Sequence, residues 1–352
     1  MKRILRLDGV RALAFLTIFV HHGFGIPHLW AGVDIFFVLS GFLITSILMD
    51  SRGKKGAWGR FYERRALRSL PPYAAFLLLA TFLLHLQWDH KALWYAFFAM
   101  NFAEVFQLGV PGLGILWSLA VEEQFYLFWP LVALRFSPRI VLRCAIALIV
   151  LAPILRGLTT PFLHDHSAIY YLMPFRMDLL ASGALLAVLW LQPGELVKWR
   201  RWGLALIAAG FSLLVLCTLI FPPFHAEGNT IPFNILGYSF ICSIATGLLA
   251  FTLGSDKGWW MKLMTWKPVR WIGLVSYTGY LIHTGVLALV TPSSSLIVNR
   301  ALAFAIVLAY ASLSWFLLEK PILKLRPSAW LGARRSKLQS TVQTELADTV
   351  PR

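Results

Sequence analysis

The sequence predicts an all-α polytopic membrane protein, a bundle of about ten transmembrane helices with both termini in the cytoplasm. Of the 352 residues, 58% are hydrophobic and only 14% are charged, whereas a soluble domain carries about 25% charged residues. The apolar runs are continuous rather than alternating, which favours helices over a β-barrel. The basic residues lie in clusters between those runs, and these clusters indicate the orientation of the bundle.

Ten apolar runs are predicted to cross the bilayer, each by about 20 residues of helix. The apolar and aromatic segment from Lys91 to Phe106 is not counted among them, because a crossing there would move the following basic clusters to the opposite side. We expect that segment to form an interfacial or re-entrant helix on the outer face. The predicted spans lie at about 10–26, 30–50, 70–87, 117–135, 140–156, 169–190, 203–221, 231–253, 270–290 and 298–318.

The distribution of positive charge indicates the topology. With the N-terminus inside, 28 of the 32 Lys and Arg residues fall on the cytoplasmic side, and the exceptions are Lys91, Arg156, Arg176 and Arg300. This asymmetry is the positive-inside rule, so the net charge of +16 indicates a lipid bilayer rather than nucleic acid as the partner. Residues 1–325 are predicted to form one transmembrane domain, and the polar segment 326–352 a disordered cytoplasmic tail.

Metal, disulfide and nucleotide sites are not indicated. The three cysteines are Cys144, Cys217 and Cys242, all in apolar runs and without a C-x-x-C pair. No Walker or dinucleotide motif occurs, so we expect no resident cofactor. The start of the chain resembles a signal peptide, but "HHGFG" follows where a cleavage site would lie, which favours a retained first span.

The first span carries an arginine and a histidine on one helical face. Arg11 and His22 are eleven residues apart, about three turns and 16 Å, with Arg11 at the cytoplasmic mouth and His22 in the outer half. Taken alone, His22 would bond a neighbouring helix and Arg11 would anchor the span. Asp34 lies at the outer end of the second span. It is either a first-turn carboxylate that the helix dipole stabilises or a partner for His22.

Three arginines precede the third span in "GRFYERRALRSLPPY". Arg64 and Arg65 lie three or four residues from Arg68, so all three fall on one helical stripe before Pro71. Guanidinium groups bind phosphate oxygens in pairs of hydrogen bonds, which favours a phosphate-bearing ligand. Anchoring to anionic lipid head groups is the alternative.

Two adjacent carboxylates interrupt the fourth span in "WSLAVEEQFYLFWP". A carboxylate in hydrocarbon costs several kcal/mol, so Glu122 and Glu123 indicate a functional site by default. They are about 100° apart on the helix, so only one is expected to face such a site. We favour Glu122, because Ser118 lies one turn away on the same face.

Two later spans add polar groups at a similar depth. "RMDLLASGALL" supplies Arg176 and Asp178, and "SYTGYLIHTGV" supplies Tyr280 and His283. Five spans with ionisable groups in the outer half predict a polar cavity with paired charges, in which these residues contact the acceptor. The alternative is a buried ion-pair network that holds the bundle together.

The motifs resemble the acyltransferase 3 family of integral membrane O-acyltransferases over residues 5–322. The matching segments are "LDGVRALAFLTIFVHH", "GVDIFFVLSGFLI", the R-x-x-R of Arg65 and Arg68, "WSLAVEEQFYLFWP", "RMDLLASGALL", "SYTGYLIHTGV" and "FLLEKPI". The resemblance implies a ten-helix core in a bacterial inner membrane. Some members carry a soluble C-terminal domain that this sequence does not show, so we expect a stand-alone transferase. The resemblance also implies that an acyl group, usually acetyl, moves from cytoplasmic acyl-CoA to a hydroxyl on a glycan, lipid-linked sugar or other exported acceptor.

One mechanism fits both the residues and the resemblance. Arg65 and Arg68, with Arg64 and Arg11, would hold the CoA phosphates. His22 would act as general base on the acceptor hydroxyl or carry the acyl group itself, with its imidazole oriented by Glu122, Glu123 or Asp34. A proton-coupled transporter or flippase is the main alternative, because intramembrane histidines and carboxylates also suit a proton relay. A non-catalytic scaffold of an envelope complex is a third.

Overall fold

The structure is a computed structural model, and it describes residues 4–191, 196–221, 224–225, 229–291 and 293–325. The segment 326–352, predicted as a disordered tail, lies outside the described residues. Every regular element among the described residues is helical, which confirms the predicted all-α class. In chain order the α-helices are α1 (Arg6–Phe24), α2 (Gly32–Ser51), α3 (Ala57–Leu84), α4 (Ala92–Ala96), α5 (Met100–Val105), α6 (Trp117–Ala133), α7 (Pro138–Thr159), α8 (Ser167–Tyr171), α9 (Met173–Trp190), α10 (Leu196–Ile220), α11 (Tyr238–Leu253), α12 (Trp259–Thr265), α13 (Lys267–Leu289), α14 (Leu296–Ser314) and α15 (Lys320–Leu325).

The long helices coincide in order with the ten predicted spans. Within the described residues, eight helical segments are long and apolar enough to cross a membrane, which supports a multi-pass integral membrane protein. Helices α1 and α6 are not among the eight. Helix α1 carries Arg6, Asp8 and Arg11, and α6 has only 17 residues. Both lie inside the bundle, α1 between α2 and α13 and α6 against α2, α5 and α9, where their polar groups face protein.

Helix α3 begins earlier than the sequence predicted. It starts at Ala57 and continues through Pro71 and Pro72, whereas the predicted span began near residue 70. A proline inside a membrane helix is tolerated where neighbouring groups satisfy the freed backbone. The arginine stripe therefore belongs to the same continuous helix that enters the membrane.

The segment from Lys91 to Phe106 forms two short helices, α4 and α5, of 5 and 6 residues. Each is far too short to cross a hydrocarbon core about 30 Å thick. Tyr95 and Met100 are buried against the bundle. The segment thus packs on the protein instead of spanning, as predicted.

Glycines bring the backbones of α2 and α9 into contact. A Cβ at Gly41 would overlap the carbonyl of Leu180, and a Cβ at Gly183 would overlap the carbonyl of Val38. Small residues allow this close approach, which is a main source of helix association in membranes. The contact orients α2 so that Asp34 faces α9.

Candidate active site

A cavity of about 720 Å³ opens between α1, α2, α3, α6 and α13. Its lining follows α2 from Val33 to Ser51, a rise of about 27 Å and so most of the thickness of a bilayer core. We call the end at Lys54, Arg60 and Arg64 the basic mouth. The end at Val33, Ser118 and Tyr280 is the far end. A ligand tens of ångströms long therefore fits along the cavity.

The basic mouth brings together all four predicted acyl-CoA-binding arginines, which are Arg11, Arg64, Arg65 and Arg68. Arg11 and Arg68 lie close enough to repel each other, and the buried Nε of Arg11 has no hydrogen-bond partner in the part of the chain that the structure describes. Among the described residues, Arg11, Arg64 and Arg68 form no ion pair within 4.0 Å. Three guanidinium groups around one cavity without paired anions favour a multiply charged anionic ligand.

Arg65 differs from the other three because carboxylates hold it. Its Nε and Nη2 donate to Oε1 of Glu123 at 3.1 and 3.0 Å, and Nη2 lies 3.6 Å from Oε2 of Glu122. The guanidinium also stacks over the Tyr126 ring, 3.8 Å from its centroid. The two glutamates of α6 are thus satisfied inside the membrane by a cation on α3.

Glu122 lines the cavity and Glu123 does not, as expected for side chains about 100° apart on one helix. Oε1 of Glu122 accepts a hydrogen bond from Ser40 at 2.7 Å, and Oε2 accepts one from Tyr126 at 3.0 Å. Sequence reasoning did not single out Ser40 or Tyr126. Tyr126 was visible as the i+4 neighbour of Glu122, whereas nothing in the sequence joined Ser40 to α6.

The partner of His22 differs from the one predicted. Nδ1 of His22 lies 3.1 Å from Nε2 of His283 and 3.1 Å from the carbonyl of Ile18. Among the described residues no carboxylate contacts His22, so the structure does not bring Glu122, Glu123 or Asp34 next to this imidazole. The two glutamates are held by Arg65, and Asp34 by Arg176.

Tyr280 connects the cavity with the histidine pair. Its hydroxyl lies 2.7 Å from that of Ser118 and donates to the carbonyl of Ile115 at 3.0 Å. Its ring centroid is 5.4 Å from that of His283, which in turn is 5.0 Å from that of His22. The side chain of His22 is exposed at the end of α1 and lies outside the cavity lining. Tyr280 and His283 therefore stand between the far end and His22.

Arg176 and Asp178, predicted to contact an acceptor, lie away from the cavity lining. Arg176 pairs with Asp34, and Nη2 of Arg156 donates to Asp178 at 2.9 Å. Both arginines are fully buried. The structure does not bring Arg176 and Asp178 to this cavity, because each charge is paired across the packed helices. Arg156, which the sequence marked only as an outer cation, completes this buried network.

The family model described as an acyltransferase domain matches residues 4–320, nearly all of the described chain. This chain belongs to the acyltransferase 3 family. The resemblance inferred from the motifs is thereby confirmed, and all the helices that line the cavity fall within the matched residues.

Two curated relatives of this acyltransferase carry functional names. The peptidoglycan O-acetyltransferase OatA of Listeria monocytogenes is 31% identical, over 92% of this chain and 56% of the relative. The O-acetyltransferase OatA of Staphylococcus aureus is 30% identical, over 96% of this chain and 60% of the relative. The chain thus spans little more than half the length of these relatives. No solved structure matches it.

Proposed function

We propose that this acyltransferase is a membrane O-acetyltransferase that moves an acetyl group from acetyl-CoA to a hydroxyl of peptidoglycan or a related envelope glycan. One observation carries the proposal. A cavity most of a bilayer long has at one end guanidinium groups that form no ion pair among the described residues, and at the other a tyrosine in contact with a histidine pair. The relatives named as O-acetyltransferases support the acyl group, and the Listeria relative supports the acceptor.

The basic mouth suits the phosphates of CoA. Arg11, Arg64 and Arg68 line it without an ion pair in the described part of the chain, and guanidinium matches the geometry of phosphate oxygens. The positive-inside rule places this mouth in the cytoplasm, where acyl-CoA is found. Arg65 is held by Glu123, so its charge is largely neutralised and the other three arginines are the ones free to bind phosphate.

The transfer itself is assigned to His22. Neutral imidazole accepts the proton of the acceptor hydroxyl as its oxygen attacks the thioester carbonyl. The C–O ester bond forms, the C–S bond breaks, and the CoA thiolate takes up the proton from the imidazolium. Tyr280 lines the far end beside the histidine pair, so a turn of its side chain away from Ser118 and Ile115 would bring the thioester closer to His22.

The test is an acetyl-transfer assay with purified protein in nanodiscs. Acetyl-CoA labelled in the acetyl group is mixed with peptidoglycan fragments, and alkali-labile label on the glycan is counted. His22→Ala is compared with His21→Ala, a matched control one residue away whose Nδ1 bonds the carbonyl of Ile26. We expect transfer with the wild type and His21→Ala, and a loss of at least about 100-fold with His22→Ala.

Three results would overturn parts of the proposal. Full activity of a folded His22→Ala variant would exclude His22 as the general base. Label that moves to another envelope glycan but not to peptidoglycan would change the acceptor. If the protein does not bind CoA but transports a solute in proteoliposomes, it is a transporter and not an acetyl-CoA-dependent enzyme.

A further inference from the structure

The contact between His22 and His283 defines which ring nitrogen of each histidine carries a hydrogen. His283 is fully buried, and its Nδ1 lies 2.6 Å from the carbonyl of Tyr280. A carbonyl oxygen only accepts hydrogen bonds, so Nδ1 of His283 carries a hydrogen. A neutral imidazole has one N–H, which leaves Nε2 of His283 as an acceptor.

His283 is neutral in this environment. Its ring packs edge-on to Phe15 at 6.2 Å and lies beside the rings of Tyr280 and His22. Among the described residues no carboxylate contacts it, and a buried charge without a partner costs several kcal/mol. The acceptor assignment of Nε2 therefore holds.

The tautomer of His22 follows from its two neighbours. Its Nδ1 faces Nε2 of His283 and the carbonyl of Ile18, each at 3.1 Å, and both are acceptors. Nδ1 of His22 must then carry the hydrogen and share it between them. The other nitrogen, Nε2, keeps its lone pair and has no partner among the described residues.

We propose that His283 is a positioning residue that holds His22 in the Nδ1–H tautomer, so that the free Nε2 of His22 is the base in acetyl transfer. The proposal rests on the proposed function. A buried aspartate does this for the histidine of a serine-protease triad, whereas here a second, neutral histidine takes that place. A neutral partner fixes the tautomer without the cost of a buried carboxylate.

A second contact fixes the spacing of the two histidines. Arg300 donates from Nε to the carbonyl of Gly23 at 2.7 Å, and from Nη1 to that of Leu287 at 3.0 Å. These carbonyls belong to the last turns of α1 and α13, the helices that carry His22 and His283. Basic side chains commonly satisfy the free carbonyls at helix C-termini. Arg300 thus joins the two helix ends just beyond the histidine pair.

The kinetic test uses two variants of His283. His283→Gln keeps an amide oxygen that can accept from Nδ1 of His22, and His283→Leu removes the acceptor at similar volume. We expect His283→Leu to lower kcat by at least about tenfold, since loss of the aspartate that fixes the histidine tautomer in a serine-protease triad lowers kcat by about 10⁴-fold. The KM for acetyl-CoA should not change, and His283→Gln should recover most of kcat. Equal kcat for folded His283→Leu and wild type would overturn the proposal.

A spectroscopic test needs no variant of His283 to fold. In protein labelled with ¹⁵N-histidine, the signals lost in His22→Gln identify His22. We expect the wild-type spectrum to show a protonated Nδ1 and an unprotonated Nε2, and the reverse tautomer would refute the assignment. This measurement also separates the two proposals, because the tautomer is read whether or not acetyl transfer is detected.

Discussion

Arg65 and Glu123 form a two-point ion pair between α3 and α6, in which Nε and Nη2 donate to the same carboxylate oxygen at 3.1 and 3.0 Å. Both side chains are 16% exposed, so the pair is largely shielded from water. Glu123 thereby neutralises one of the four arginines at the basic mouth. The pair determines how much positive charge the cavity presents to a ligand.

Replacing Glu123 by Gln should lower stability and strengthen the response to CoA. Arg65 would keep only its longer contact with Glu122 at 3.6 Å, so its charge would be less well compensated beside Arg11 and Arg68, at a cost of about 1–3 kcal/mol, between the values for exposed and buried pairs. Phosphate would replace the lost carboxylate, so CoA should raise Tm more in Glu123→Gln than in wild type. Thermal unfolding with and without CoA measures this, with the exposed Asp89→Asn as control. An identical CoA-induced shift in all three proteins would contradict it.

Arg68 and Arg11 are expected to contribute directly to CoA affinity. Changing either to Gln removes from the cavity lining a guanidinium that has no ion pair in the described part of the chain, and we expect Kd for CoA to rise on the order of tenfold for each. Binding should weaken further as salt is raised. Arg52→Gln, a basic residue of the same side that is not part of the lining, should bind as the wild type does. Unchanged affinity in both cavity variants, measured by calorimetry in nanodiscs, would refute phosphate binding there.

The order of the long helices, and which polar residues share a face of one helix, could be predicted from the sequence, because these follow from apolar length and helical pitch. The placement of Glu122 on the cavity, with Glu123 turned away, came from the same pitch. The partner of His22 could not be predicted. Helical pitch predicts which residues share a face of one helix, but not which neighbouring helix that face contacts. Here the glycine contact between α2 and α9 orients Asp34 towards Arg176.

The burial of aromatic residues in the outer loops could not be predicted from the sequence either. Tyr95 and Phe224 belong to loops that the sequence places on the outer face. From their position alone, such aromatic residues are expected to form an interfacial belt or to stack on sugars. In the structure both are buried, and the Tyr95 hydroxyl accepts a hydrogen bond from the backbone of Val110 at 2.9 Å. The sequence shows that a loop contains aromatic residues, but whether their rings are buried depends on how the loop packs on the rest of the protein.

The buried pair of Asp34 and Arg176 should be sensitive to single but not to double neutralisation. Asp34→Asn leaves the fully buried Arg176 without its carboxylate, and we expect a loss of about 3–5 kcal/mol. The double variant Asp34→Asn/Arg176→Gln removes both charges and should unfold closer to the wild type. Tm values and yields of the single and double variants in detergent test this. A double variant worse than either single one would show that the pair itself, rather than charge balance, stabilises the bundle.

The stability contribution of Glu104 should depend on pH. This residue lies on α5 outside the spanning helices, and burial raises the pKa of its carboxyl. The folded protein therefore holds the proton more tightly than the unfolded chain. Its contribution is present below the ordinary glutamate pKa, about 4.3, and is lost as the pH rises through the raised value. Glu104→Gln should then raise Tm at neutral pH and leave it unchanged near pH 4.

Asp89 provides a control, because the pKa of its carboxyl is shifted in the opposite direction to that of Glu104. A hydrogen bond from the backbone of Lys91 lowers the pKa of its carboxyl, so its contribution is present at neutral pH and is lost on acidification. Asp89→Asn should lower Tm slightly at neutral pH. Parallel shifts of both variants across the pH range would contradict the assignment for Glu104.

The glycine contact between α2 and α9 gives the last prediction. Gly183→Ala places a methyl group into the carbonyl of Val38, and because this neighbour is backbone, the two helices must separate. Overpacking of this kind costs about 1–3 kcal/mol or more, and the separation would also disturb the pairing of Asp34 with Arg176. Gly285→Ala is the matched control, since nothing lies within 4 Å of a Cβ there. We expect Gly183→Ala to lose folded yield and Tm in fluorescence-detected size exclusion while Gly285→Ala does not, and a wild-type profile for Gly183→Ala would mean that the two backbones do not touch.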